Sequence, residues 1–159
     1  MSITIDSLAY QPGRSLNEPP YRYNRVPMQE VTLVAGHGIE GDLKAGRNPK
    51  RHINIMSLET LDALAAEGFK TDPGEMGEQM AVRGLDLMTL EPGTELQLGE
   101  SAFIRLNKPR TGCAWLEQVQ GRETQQTTRN RLGWMATVIA SGQVRVGDVV
   151  RVLIPERPR

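Results

Sequence analysis

Glu30-Val31-Thr32-Leu33-Val34-Ala35, followed at once by Gly36-His37-Gly38-Ile39-Glu40-Gly41-Asp42, is the most informative stretch of this chain. The first six residues are rich in β-branched side chains, which fit a pleated, half-buried surface, and they predict a strand. Glycines at 36, 38 and 41 then specify a tight backbone path that side chains with a Cβ resist, so positive φ is expected at Gly38, Gly41 or both. A strand that ends in such a turn is a β-type signal, and the same signal recurs along the chain.

Residues 52–56 (HINIM) read as a second strand after the basic loop of residues 44–51. Residues 79–83, 94–98, 102–107, 135–140, 143–146 and 149–154 follow, punctuated by Glu91-Pro92-Gly93, Gly99, Ser141-Gly142 and Gly147-Asp148. One helix interrupts them. Leu58, Leu61, Leu64 and Ala65 recur at helical spacing, Ser57 stands where an N-cap belongs and Gly68 supplies the stop, so a helix is expected over 57–67. A short second helix is allowed at Ala114-Trp115-Leu116-Glu117. Short strands with close turns predict an all-β barrel or sandwich.

Residues 1–27 hold Pro12, Pro19, Pro20 and Pro27. Proline lacks the amide proton a ladder needs, so this segment is expected as an N-terminal arm packed on the domain, with residues 3–8 as a short edge strand. Residues 28–154 would form the domain and 155–159 a flexible tail.

The chain has 159 residues, enough for one domain with its own core. Aromatics are only 4%, so Val, Ile, Leu and Met must build that core. Lys+Arg and Asp+Glu are 19 each, and a neutral chain argues against nucleic-acid binding, although it leaves room for a local basic pocket. The apolar runs are too short for a membrane span, and Met1 to Ser15 lack the basic and apolar regions of a secretory leader. A lone cysteine suits a reducing compartment, so the cytoplasm is the expected location.

Three constellations can carry chemistry. Cys113 sits in Lys108-Pro109-Arg110-Thr111-Gly112-Cys113. A lone cysteine often only packs as a small hydrophobe. Here Pro109 and Gly112 place it after a loop, and Lys108 and Arg110 bring positive charge that favours a thiolate, either a nucleophile or a soft metal ligand. The second constellation is the glycine turn to Asp42 with Arg47, Lys50, Arg51 and His52, which suits an anion or is simply a solvated loop. The third is Gly74-Glu75-Met76-Gly77-Glu78-Gln79, where the carboxylates are acid–base candidates or parts of a polar turn. His37 and His52 do not stand at zinc-ligand spacing with Cys113.

Taken in this order, the motifs resemble the MOSC family, named for the C-terminal domain of molybdenum cofactor sulfurase. The resemblance runs from Gly38-Ile39-Glu40-Gly41-Asp42 and Arg51-His52 through Gly77-Glu78, Val82, Gly84, Leu85 and Leu87. It continues with Leu90, Pro92-Gly93, Leu96, Leu98-Gly99, Cys113 and Gly147-Asp148, covering roughly residues 30–153. It implies a mostly β, β-barrel-like fold with a few short helices. It also implies molybdenum cofactor (molybdopterin) binding, with Cys113 as catalytic residue and metal ligand and Asp42, Arg51, His52, Glu78, Lys108, Arg110 and Thr111 around the cofactor. Reduction of N-hydroxylated compounds is the implied activity, and a persulfide-bearing sulfur carrier or a non-catalytic binding module are the alternatives. The implied partners are a small-molecule substrate and a cysteine desulfurase or redox protein. No membrane partner is expected. Nor is pyridoxal phosphate, since no Schiff-base lysine stands out. Two departures are visible: Gln79 where the family often has asparagine, and Leu43-Lys44 where many members have a histidine.

Overall fold

The computed structural model describes residues 2–15 and 18–153. In chain order the elements are β1 (Thr4–Tyr10), β2 (Val26–Met28), β3 (Glu30–Val34), β4 (Gly38–Ile39), β5 (Ile53–Ser57), α1 (Leu58–Ala66) and β6 (Met80–Arg83). A 3-10 turn at Leu87–Thr89 leads to β7 (Glu95–Leu98), β8 (Ala102–Pro109), α2 (Ala114–Gln120), β9 (Trp134–Ala140), β10 (Gly142–Arg145) and β11 (Val150–Leu153). The expected tail at 155–159 lies outside the described residues.

Eight strands make one sheet in the order β11-β7-β8-β9-β5-β6-β1-β2, and β10-β3-β4 make a second. Every pairing is antiparallel except β5 with β6, whose connection contains α1. Such a parallel pair requires a crossover, which is why the helix falls there. An isolated bridge between Thr4 and Val149 draws β1 towards the far edge strand β11. No continuous ladder joins β1 to β11, so the sheets curl without closing. The fold is mostly β and barrel-like, and the closed barrel is not formed.

β5 is buried along its whole length because it has an apolar core on each face. Ile53 and Ile55 enter the larger core with Leu33, Val82, Leu96, Ile104 and Val138, to which both sheets contribute. Met56 enters the smaller core with Leu61 and Leu64 of α1, Leu116 and Val119 of α2, and Met76. A strand covered on both sides reads as a near-continuous apolar run, as residues 53–56 do apart from Asn54.

Two features differ from expectation. The segment read as a short edge strand is the seven-residue β1, hydrogen-bonded to β6 on one side and β2 on the other. Its prolines all lie beyond Tyr10, and Pro27 sits on the sheet's outermost strand, where a missing donor is tolerated. Ser57 stands at the N-cap of α1 without capping it. Its hydroxyl instead donates to the Leu85 carbonyl (2.6 Å) and accepts from the Leu87 amide (3.2 Å), tying the 3-10 turn to the end of β5.

Gly38 and Gly41 have φ of 125° and 84°, as the turn requires. The most demanding glycine is Gly133, at φ 71°, where a Cβ would overlap the Ile55 carbonyl oxygen. Gly133→Ala must therefore move β5, and it should cost more than about 2 kcal/mol. A urea denaturation midpoint close to the parent's would contradict this.

Candidate functional site

Arg110 directly follows β8, held by its amide on the Gly133 carbonyl at 2.9 Å. The chain then leaves the sheet, and Cys113 takes the N-cap position of α2 with its carbonyl accepting the Glu117 amide at 3.2 Å. Leu116 and Val119 anchor α2 in the smaller core, which fixes the thiol at the helix start. Cys113 is exposed and unpaired.

It stands on the wall of a cleft of about 600 Å³. The charged side chains that line the cleft are Arg25, Lys44, Arg47 and Arg51, and among the described residues no carboxylate lines it. Burial and the neighbouring charges of Arg25, Arg47 and Arg51 hold the Lys44 ammonium below its ordinary range. The uncharged lining comes from Tyr23, Trp115, Asn54, Gln79, Ser15 and Asn48. Trp115 meets Tyr21 and Tyr23 edge-on, with centroids 6.1 and 6.2 Å apart. The neutral composition thus conceals a strongly cationic cavity.

Asp42 is the tie behind this wall. Its carboxylate accepts from the Gln11 amide (2.7 Å) and from Gln79 Nε2 (3.3 Å), and it lies 3.9 Å from Arg25 Nη1. Gln79 Oε1 in turn accepts from the Asn54 amide at 2.7 Å. The longer amide of Gln79 therefore spans β5 and the glycine turn.

Several buried polar atoms of the cleft and of the layer behind it have no hydrogen-bond partner: Tyr23 Oη, Asn54 Oδ1, Trp115 Nε1, Glu78 Oε2, and Nε and Nη1 of both Arg25 and Arg110. Leaving one such group unsatisfied costs about 1–3 kcal/mol, so these atoms retain hydrogen-bonding capacity that the protein itself does not use. Two glycines make room for three of these side chains. A Cβ at Gly74 would press on the Arg25 side chain, and one at Gly77 would strike Arg110 Nη2 and come within 2.8 Å of Tyr23 Cζ.

The residues expected around the cofactor separate into three groups. Cys113 and Arg51 line the cleft. Asp42, Glu78 and Arg110 are buried behind its wall and floor. His52, Lys108 and Thr111 are not brought to it. His52 is buried in the sheet with Nδ1 accepting from the Val138 amide (3.0 Å), and burial lowers its basicity. Lys108 is exposed on β8 opposite Met135, and Thr111 is exposed on the loop. Sequence reasoning missed Tyr23, Arg25, Asn54 and Trp115. The alternation Tyr21-Arg22-Tyr23-Asn24-Arg25 was the available signal, masked by the prolines around it. Among the described residues no three His, Cys, Asp or Glu side chains gather as a metal-binding set, and no helix is long and apolar enough to cross a membrane.

An open, barrel-like sheet with a thiol on a cationic cleft defines the class. The family model described as MOSC domain matches residues 42–151, and the chain belongs to that family. Solved structures with the same fold include the YuaD protein from Bacillus subtilis (20% identity, TM-score 0.72, 96% of each chain covered). YiiM from Geobacillus stearothermophilus is another, at 16% identity and TM-score 0.73, covering 96% of this chain and 75% of that one. YiiM from Escherichia coli is similar at 21% identity and TM-score 0.70, with 98% and 72% covered. No curated protein matches the sequence.

Burial pushes the Glu78 carboxyl up to about 7, against the backbone hydrogen bonds and the Arg110 and Arg25 charges that favour ionisation. A carboxyl raised above its unfolded value stabilises the fold fully below about pH 4.5, and that contribution is lost as pH rises through about 7. Glu78→Gln removes the titration. The variant's stability relative to the parent should improve by up to about 3 kcal/mol between pH 4.5 and 8, read from urea midpoints. A pH-independent difference would show that Glu78 does not titrate in this window.

Proposed function

We propose that the cleft binds the molybdenum cofactor, with Cys113 as the protein ligand to the metal, and that the protein reduces small N-hydroxylated compounds. The observation that carries this reading is the coincidence of one accessible thiol with an entirely cationic charged lining and a set of unpartnered buried polar atoms. A thiolate is a soft donor suited to a sulfur-ligated metal. A pterin is a flat heterocycle carrying a phosphate, and the cleft offers aromatic walls, free amide and indole groups, and arginines for such a molecule. The residues present therefore fit the group.

When bound, the cofactor would supply the two-electron redox chemistry. The chain's own residues do the rest. Arg51, Arg47 and Lys44 would hold the anionic end, while Asn54 and Gln79 offer hydrogen bonds to the heterocycle. Tyr23 and Trp115 would flank it and exclude water. A reducing cytoplasm would keep Cys113 free, and a separate redox protein would deliver electrons.

The exposure of Cys113 also favours a second reading, a persulfide carrier loaded by a cysteine desulfurase. Protein from a cofactor-competent host separates the two. Stoichiometric molybdenum and an oxidisable pterin in the parent, both lost in Cys113→Ser with the fold intact, are expected. Cyanide-releasable sulfur without molybdenum would move the assignment to the carrier. A serine variant that retains the metal as well as the parent would remove Cys113 from the site.

A further inference from the structure

The four cations that line the cleft are not chemically alike. Arg25, Arg47 and Arg51 stay charged at any working pH, whereas a lysine can release a proton and become a nucleophilic amine. Lys44 is the one member of the set with that second state. Its backbone is fixed on both sides. The Leu43 amide donates to the Gln11 carbonyl (2.7 Å), the Ala45 amide to the Asp42 carbonyl (3.1 Å) and the Arg47 amide to the Lys44 carbonyl (3.4 Å). Asn107 Nδ2 holds the far end of the loop through the Lys50 carbonyl at 2.9 Å. The root of the Lys44 side chain is thereby kept at the cleft, and the side chain is accessible to solvent. The surrounding charges oppose an ammonium there. Arg25 stands on the segment before β2, and Arg47 and Arg51 stand on the same loop as Lys44. Asp42, the carboxylate that acts on Lys44, is already engaged by the Gln11 amide and Gln79 and lies 3.9 Å from Arg25 Nη1. Among the described residues no ion pair includes Lys44. Tyr23 and Cys113 are the other titratable groups lining the cleft, and neither holds the ammonium in an ion pair.

A lysine set beside other cations, with no carboxylate of its own, is the arrangement that turns an ammonium into a working amine. We propose that Lys44 is a carbonyl-reactive amine that captures small aldehydes as imines. The neutral nitrogen attacks the carbonyl carbon, the carbonyl π pair moves to oxygen, and a proton passes from nitrogen to that oxygen through solvent. The carbinolamine then takes up a proton and expels its hydroxyl as water while the nitrogen lone pair closes the C=N bond. Overall an ammonium and an aldehyde give a protonated imine and one water, with no net oxidation or reduction. Negative charge gathers on the carbonyl oxygen during the addition, and three guanidiniums line the space in which it does so. Tyr23 and Trp115 offer the carbon chain of the aldehyde an aromatic wall. Burial and the charges of Arg25, Arg47 and Arg51 already hold the Lys44 ammonium below its ordinary range, with Asp42 opposing them least. The activity needs neither molybdenum nor the cofactor, and a bound cofactor would compete for the same amine.

The test uses the full chain made without the cofactor, treated with propanal and cyanoborohydride. The hydride donor converts an imine to a stable secondary amine, and mass spectrometry of the peptides locates it. The chain has four lysines, Lys44, Lys50, Lys70 and Lys108, so three serve as internal references. Lys50 is the most direct, since it is exposed on the same loop. At neutral pH Lys44 should be labelled about tenfold or more faster than Lys50 and Lys108. Its rate should rise with pH through a midpoint below the ordinary lysine value of about 10.4. Arg47→Gln removes a neighbouring charge and should slow Lys44 about twofold or more, with Lys108 unchanged. Propanal is uncharged, so that loss cannot come from weaker attraction of an anion. Lys44→Arg keeps the charge and should abolish the fast site. Equal labelling of Lys44 and Lys50, an ordinary midpoint at Lys44, or an Arg47→Gln variant as fast as the parent would each overturn the proposal. The ratio of Lys44 to Lys50 decides the matter on the parent alone should the glutamine variant fold poorly. Fast labelling of Lys44 in a protein that never retains molybdenum would leave this inference standing and remove the cofactor reading. Retained molybdenum with ordinary labelling of Lys44 would do the reverse.

Discussion

The buried carboxylate of Asp42 holds three parts of the chain in one place. It takes the Gln11 amide just after β1, the Gln79 side chain just before β6 and the Arg25 guanidinium before β2. Removing one partner from a buried charge pair costs about 3–5 kcal/mol, because the other charge is left without water. That asymmetry makes the tie rigid even though the pair itself adds little net stability. The turn of Gly38 and Gly41 exists to deliver this one carboxylate, since positive φ at both lets the chain fold back under the sheet just before residue 42. The cleft wall follows from it: Arg25 faces the cavity because Asp42 fixes it from behind.

Charge in the molecule is sorted by depth. The cleft surface carries cations, and the acids that compensate them sit one layer further in, as Asp42 and Glu78. The layering gives the cavity an electropositive field without exposing the arginines to neutralisation by surface carboxylates. The close packing of Gly74 against Arg25 and Gly77 against Arg110 and Tyr23 keeps the two layers in contact. Those glycines serve the site by being small, whereas Gly133 serves the fold.

Most strands were legible because alternation and glycine punctuation are local. Residues 30–35, 79–83, 94–98, 102–107 and 135–140 read as strands, and β3, β6, β7, β8 and β9 fall there. The short helix at Ala114 was legible too and extends to Gln120. The curl of the sheet was not, since it depends on a long-range bridge between Thr4 and Val149 that no local pattern encodes. Nor was the membership of the cleft. Cys113 and Arg51 stood out as chemistry-bearing residues beside glycines and other cations, and both line the cavity. Tyr23 and Arg25 belong to a proline-rich stretch that looks like a covering arm, and only tertiary placement makes them part of a site. His52 shows the opposite case: its position beside Arg51 suggested a shared role, but Arg51 lines the cleft whereas the His52 ring is buried, with Nδ1 accepting from the Val138 amide.

The segment that identifies the family, residues 42–151, leaves out four strands that pair with it or with one another in the two sheets. Cutting the chain at residue 42 would remove β1 to β4, leave β6 as a bare edge of paired-strand geometry and strip one layer from the larger core. Unpaired edges of that kind invite association with other chains. It would also take away Ser15, Tyr23 and Arg25, one whole side of the cleft. Anyone grafting this module into a fusion, or delimiting it for comparison with others of its kind, should keep β1 to β4 with it, so that both sheets stay whole.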